Sequence, residues 1–161
     1  MRATSSAIGL AALLALAGCG GSSSGGGPST SPTAAATAPA DQAAATAAIK
    51  TTWTTFFHSG ADPTAAAALL ENGDQLAGAI RVATKLQHQQ KIKEDAEVVS
   101  VVFTSPTAAT VTYNLLSHGQ SLLPNATGTA VLVGGQWKVS QQTFCTLVLL
   151  GAGSKKVPGC S

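Results

Sequence analysis

Charge is scarce in this chain of 161 residues: Asp, Glu, Lys and Arg make up 10% of it, and 9 basic against 7 acidic side chains leave a formal net charge of +2. Nucleic-acid binding requires lysines and arginines clustered on one surface. The nearest approach, Lys85, Lys91 and Lys93, is interleaved with Glu94, Asp95 and Glu97, which excludes a polyanion-binding face and with it a nucleic-acid partner. Long apolar runs are missing as well: residues 7–17 are apolar, well short of the about 20 residues that a membrane-spanning helix needs. Cysteines number three, and without a nearby histidine or a second thiol pair they cannot complete a metal site. His58, His88 and His118 lie far apart in the chain, at expected helix ends or in a turn. A serine nucleophile elbow is absent, since Gly119-Gln120-Ser121-Leu122 lacks its second glycine. No catalytic residue, cofactor or metal is therefore assigned.

What is present begins with Met1-Arg2, the apolar residues 7–17 and the stretch Leu16-Ala17-Gly18-Cys19. A basic start, an apolar run and small residues before a cysteine make a secretory signal of the bacterial lipoprotein type, cut before Cys19. Small Ala17 and Gly18 leave the thiol and the preceding peptide bond open to the acylating enzyme and the peptidase. Diacylglycerol on the sulfur, with an N-acyl chain such as palmitate, provides the several chains that stable anchoring takes. Residues 20–40 carry no charge and consist of Gly, Ser, Thr, Pro and Ala. Such a segment buries too little to offset its ordering entropy and is expected to be a disordered leash with a mean reach of about 25 Å. The expected organisation is a signal peptide over 1–18, a tether over 19–40 and one domain over 41–161. Membrane lipid attached through Cys19 would hold that domain at the extracytoplasmic face of the cell membrane.

With Cys19 consumed by lipid, Cys145 and Cys160 remain as an even pair in an oxidising location, and a disulfide between them is expected. It would close a loop of about 15 residues, stabilising by about 3 kcal/mol in the chain-entropy account. Order begins at Asp41, which reads as a helix N-cap. Ile49, Trp53, Phe56 and Phe57 recur at helical spacing on one stripe, and Ser59-Gly60 ends that helix. Asp62-Pro63 restarts the chain as N-cap and first helical residue, predicting a short helix through Leu69 and Leu70. Asp74 reads as the cap of a third helix, with Leu76, Ile80, Ala83 and Leu86 or Gln87 inward and Arg81 and Lys85 outward.

The period then changes to two. Residues 96–104 alternate with apolar side chains on both faces, which predicts an interior strand. Ser105-Pro106-Thr107 turns the chain, and Ala109, Val111, Tyr113 and Leu115 alternate with polar neighbours as a strand with one wet face. Residues 126–133 predict a third strand, Gly134-Gly135 a two-residue hairpin loop, and residues 136–144 a fourth strand. The apolar residues 147–150 are expected to pack as a tail before Cys160 pins it. Helices followed by an antiparallel meander make the α+β class, with the aromatic stripe of the first helix covering the dry face of a curved four-stranded sheet in a cone.

Several stretches resemble the low-molecular-weight antigen family of mycobacteria and related actinobacteria. They include Trp53-Thr54-Thr55-Phe56-Phe57, Leu69-Leu70-Glu71-Asn72-Gly73, and the run from Ser105-Pro106-Thr107 to Thr112-Tyr113. Gly135-Gln136-Trp137-Lys138-Val139-Ser140, Thr143-Phe144-Cys145 and Val157-Pro158-Gly159-Cys160 follow in the same order. The resemblance covers residues 43–161 and implies a small exported domain of cystatin-like or nuclear-transport-factor-like fold, closed by a disulfide at Cys145 and Cys160. It carries over no functional residues. Members are often secreted free, whereas Cys19 would tie this chain to a membrane.

Two functions follow as expectations. The first is a non-catalytic binding or interaction module of the cell envelope, holding a small apolar molecule or docking an envelope protein, with Trp53, Phe56, Phe57 and Tyr113 as candidate ligand-binding residues. The blander reading of the same stripe is a core helix lying on the sheet. The second function is a small isomerase- or dehydratase-like enzyme on the same cone, which needs Tyr113 as a donor beside a buried acid. Asp95 and Glu97 are expected in a solvated turn, and a structural Tyr113 is the plainer expectation.

Overall fold

The computed structural model describes residues 36–58, 62–91, 93–153 and 155–160. The expected signal peptide, Cys19, the tether up to residue 35 and the Ser59-Gly60 helix stop lie outside the described residues. Helix α1 spans Gln42–His58, α2 Pro63–Ala68 and α3 Ala77–Gln90, with a 3₁₀ turn over Gly73–Leu76 before α3. Four strands follow, β1 Glu94–Ser105, β2 Ala108–Ser117, β3 Gln120–Val133 and β4 Gln136–Val139, and then helix α4, Gln141–Ala152. The strands form one antiparallel sheet in the order β1-β2-β3-β4. The fold is α+β, as the sequence leads one to expect.

Local chemistry explains most boundaries. Asp41 Oδ1 accepts from the backbone N–H of Ala44 at 2.9 Å, and the alanine-rich turns that follow have the highest helix propensity available. Asp62 Oδ1 accepts from Thr64 and Ala65, with Pro63 at the first helical position. After α2 the chain does not continue to a capping Asp74. Leu70 instead forms a parallel bridge to Val139, with Val139 N–H donating to Leu69 O and Glu71 N–H to Val139 O. The segment 69–71 therefore covers the free edge of β4. Asn72 then turns left-handed at φ 54°, and a Cβ on Gly73 would lie 2.0 Å from Ala67 O, so only glycine fits there. Asp74 sits inside the 3₁₀ turn, and no side chain caps that turn or α3.

The sheet packs its inner face against the helices. On β2, Ala109, Val111, Tyr113, Leu115 and Ser117 are buried in strict alternation, as a sheet with one dry face requires. Helix α1 lies against β1 and β4 and is tied to β4 by Thr52 Oγ1, which donates to Trp137 O at 3.0 Å. Both Gly134 and Gly135 take positive φ, 58° and 78°, which the tight hairpin between β3 and β4 demands.

Four expectations are corrected. Strand β1 is an edge strand, not an interior one: Val99 and Val102 are 52% and 60% exposed. Its valines on the outer face suit a pleated strand by β-propensity rather than by burial, and a bulge between Val98 and Ser100 shifts the register. Asp95 and Glu97 are accordingly exposed residues of a strand and not of a turn. The fourth strand ends at Val139 instead of running to 144, because Ser140 caps α4: its Oγ accepts from Thr143 N–H at 3.1 Å. Trp137, Val139 and Cys145 share a parity by coincidence, while Phe144, Cys145, Val148 and Ala152 form the buried stripe of a helix. Residues 147–150 belong to the second half of that helix and not to a packed tail beyond a strand. The disulfide joins Cys145 of α4 to Cys160, and the closing segment lies on the start of α3, where a Cβ on Gly78 would meet Pro158 at 2.9 Å.

Candidate functional site

The aromatic stripe of α1 divides into two environments. Trp53 has no exposure and stands edge-on to Tyr113, ring centroids 6.0 Å apart at 64°. Opposite it, a Cβ on Gly128 would lie 3.2 Å from the indole and 2.6 Å from the Thr143 methyl. The indole thus fills the space that glycine leaves. Its Nε1 has no hydrogen-bond partner, and Tyr113 is equally sealed at 1% exposure.

One turn on, the rings face open space. Phe56 meets Phe57 at 5.3 Å and Phe144 of α4 at 6.0 Å, both nearly perpendicular, an edge-to-face arrangement that aromatic quadrupoles favour. These three rings line a cleft of about 110 Å³. Ala66 of α2, Ile80, Ala83 and Leu86 of α3, and Leu147, Val148 and Gly151 of α4 complete its apolar wall. Small residues stand opposite the rings, so the volume goes unfilled. Thr84, Gln87 and Gln90 of α3 and Glu94 of β1 form its polar side.

Glu94 is the charged member of that lining. Gln87 Nε2 donates to its Oε2 at 2.6 Å. Burial pushes its carboxyl above the ordinary 4.5, and the Gln87 hydrogen bond only partly opposes this. Burial also pushes the Tyr113 hydroxyl up to about 12, with the negative charge of Glu94 adding to the effect. Among the described residues Tyr113 makes no hydrogen bond to a carboxylate, and it does not line the cleft. The hydrogen-bonded pair of donor and acid in the enzyme expectation is thus not seen among the described residues.

Residues 42–155 match the family described as low molecular weight antigen MTB12, C-terminal domain. The chain belongs to the MTB12 antigen family. No curated protein and no solved structure matches it. Membership in the MTB12 family points to a small secreted protein and lends no support to the enzyme alternative.

Within this MTB12 domain the four candidate ligand residues separate: Phe56 and Phe57 line the cleft, whereas Trp53 and Tyr113 lie in the packed core behind it. The tilted contact of Phe57 with Tyr113, 5.5 Å between centroids, joins the two regions. His58 ends α1, His88 lies in the last turn of α3, and His118 in the β2–β3 turn sits 2.9 Å from Lys91 O. Among the described residues no group of three or more His, Cys, Asp or Glu side chains could hold a metal. Sequence reasoning missed Glu94 as a site residue by grouping it with Asp95 and Glu97 on a charged surface. Its parity was the available signal: extending the strand by two residues puts Glu94 on the same face as Ala96, opposite Ser117 and Leu115 of the dry side of β2.

Proposed function

We propose that this protein is an exported, lipid-anchored binding module of the cell envelope, whose ligand places a small apolar group in the cleft between α1, α3 and α4. The anchoring half rests on Leu16-Ala17-Gly18-Cys19 and the uncharged stretch after it. The cleft carries the binding half: three phenylalanine rings line a volume that no side chain fills, whereas Trp53 and Tyr113 beside them are sealed. About 110 Å³ lies below the roughly 300–1,000 Å³ of pockets that enclose whole ligands. It is comparable with engineered apolar cavities of about 150 Å³ that take benzene. The occupant is thus one ring or a short alkyl group, with the rest of the ligand outside.

Gly151 provides the test. A Cβ there would meet nothing closer than Leu86 Cδ1 at 3.6 Å, so Gly151→Leu extends a side chain into the cleft without displacing backbone. Protein-observed NMR titration with n-butanol is expected to shift the signals of Phe56, Phe57 and Phe144, and Gly151→Leu to abolish those shifts while leaving the fold intact. Shifts that persist in the plugged variant, or none in the native sequence, would remove the binding reading. For the anchor, Cys19→Ala is expected to move the protein from the membrane fraction to the medium.

A further inference from the structure

The polar side of the cleft has a particular imbalance. Thr84, Gln87 and Gln90 are neutral, Glu94 is an acid, and among the described residues no lysine, arginine or histidine lines the space. Arg81 and Lys85, the basic residues of α3, lie on its exposed outer face. Gln87 donates to Oε2 of the carboxylate, and among the described residues no donor meets Oε1, which can receive one. A half-buried carboxylate beside apolar rings is costly unless it gains a proton or a cation, and among the described residues no basic side chain lines the cleft to supply one.

We infer that the cleft selects a small organic cation, an alkylammonium whose nitrogen donates to Glu94 and whose short alkyl chain lies against Phe56, Phe57 and Phe144. The inference rests on the ligand-cleft reading above and specifies the chemistry of its occupant. Alkyl carboxylates are disfavoured by repulsion from Glu94, and alkyl alcohols use the apolar wall without the charge-assisted bond. The raised carboxyl of Glu94 is consistent with a group that lacks its countercharge.

Three probes of equal chain length separate the contributions: n-butylammonium, n-butanol and n-butyrate, each titrated by NMR at neutral pH and low salt into the full chain carrying Cys19→Ser. A charge-assisted hydrogen bond at a partly exposed site corresponds to about a tenfold gain. Butylammonium is therefore expected to bind about tenfold more tightly than butanol, and butyrate most weakly. In Glu94→Gln the advantage of the amine should vanish while butanol affinity stays within about twofold, because the Gln side chain removes only the charge. Equal binding of amine and alcohol by the native sequence overturns the cation inference and leaves the cleft reading standing. An amine advantage that survives Glu94→Gln overturns it as well. If none of the three probes binds, both readings fall. The comparison of probes on the native sequence needs no variant, so a misfolded Glu94→Gln would not blunt it.

Discussion

Trp53 and Phe57 lie one helical turn apart on α1 and meet opposite surroundings. At Trp53 the sheet brings Gly128 under the largest side chain of the helix, with Thr143 beside it, and the indole fills the gap completely. At Phe57 and Phe56 small residues also share the lining, Ala66, Ala83 and Gly151, yet the rings turn edge-to-face, Phe56 on Phe57 and on Phe144, and a volume between these elements stays open. Small opposite large gives a sealed core in one place and an open cleft in the other. The stripe itself is continuous; what differs is how closely the neighbouring elements approach it.

Four experiments would break or sharpen this contrast. The largest effect is expected at the sealed end, where Trp53→Ala should cost about 3–5 kcal/mol of stability in chemical denaturation. A cost of about 1 kcal/mol or less, within the range of surface changes and mild swaps, would show the indole to be no better packed than the cleft rings. Next comes the brace at the open end. The Cys145–Cys160 disulfide ties α4 to the segment lying on α3, and replacing both cysteines by serine should cost about 3 kcal/mol. Because α4 is one wall of the cleft, n-butanol binding should weaken as well; an unchanged melting temperature would deny the brace.

The remaining two experiments use pH, which acts in the same direction at the two ends but in different ranges. Folded Tyr113 titrates at about 12 against 10.0 for a free tyrosine, so its contribution is full below pH 10 and lost as pH rises from 10 through 12. The loss approaches about 3 kcal/mol and should be absent in Tyr113→Phe. At the open end, the raised Glu94 carboxyl keeps its proton in the folded state at pH values where the unfolded chain has released it. Its stabilising contribution is full below about pH 4.5 and is lost as pH rises through the raised value. Glu94→Gln should therefore gain on the native sequence as pH climbs from 4.5 through the raised value, the smallest effect of the four. A stability difference that does not vary with pH would mean that the carboxyl is not buried at the cleft.

Much of this fold is written locally. Asp41 and Asp62-Pro63 mark their helix starts because the capping oxygen and the N–H it serves are two or three residues apart. Gly134-Gly135 marks its hairpin because both positions need positive φ. Helix α4 escaped notice because Trp137, Val139 and Cys145 extend a strand-like parity across Ser140, whose capping role depends on a bond to Thr143 that competes with that pattern. The edge position of β1 escaped for another reason: apolar residues on both faces read as double burial, and only strand order shows which face stays wet. At the site, Phe56 and Phe57 were legible from helical spacing, whereas Glu94 was hidden among neighbouring charges until the register placed it opposite Ser117.

The amino-acid sequence by itself determined the starts of α1 and α2 and the tight β3–β4 turn, since each depends on residues close in the chain, and it made Cys145 and Cys160 the expected pair. Tertiary structure alone decided that Trp53 is sealed while Phe56 and Phe57 border a cleft with Glu94 on its polar side. Gly128, Gly151 and Glu94 are remote in sequence from α1, and a void or an uncompensated charge is a property of what stands across from a side chain, which spacing along one helix does not encode.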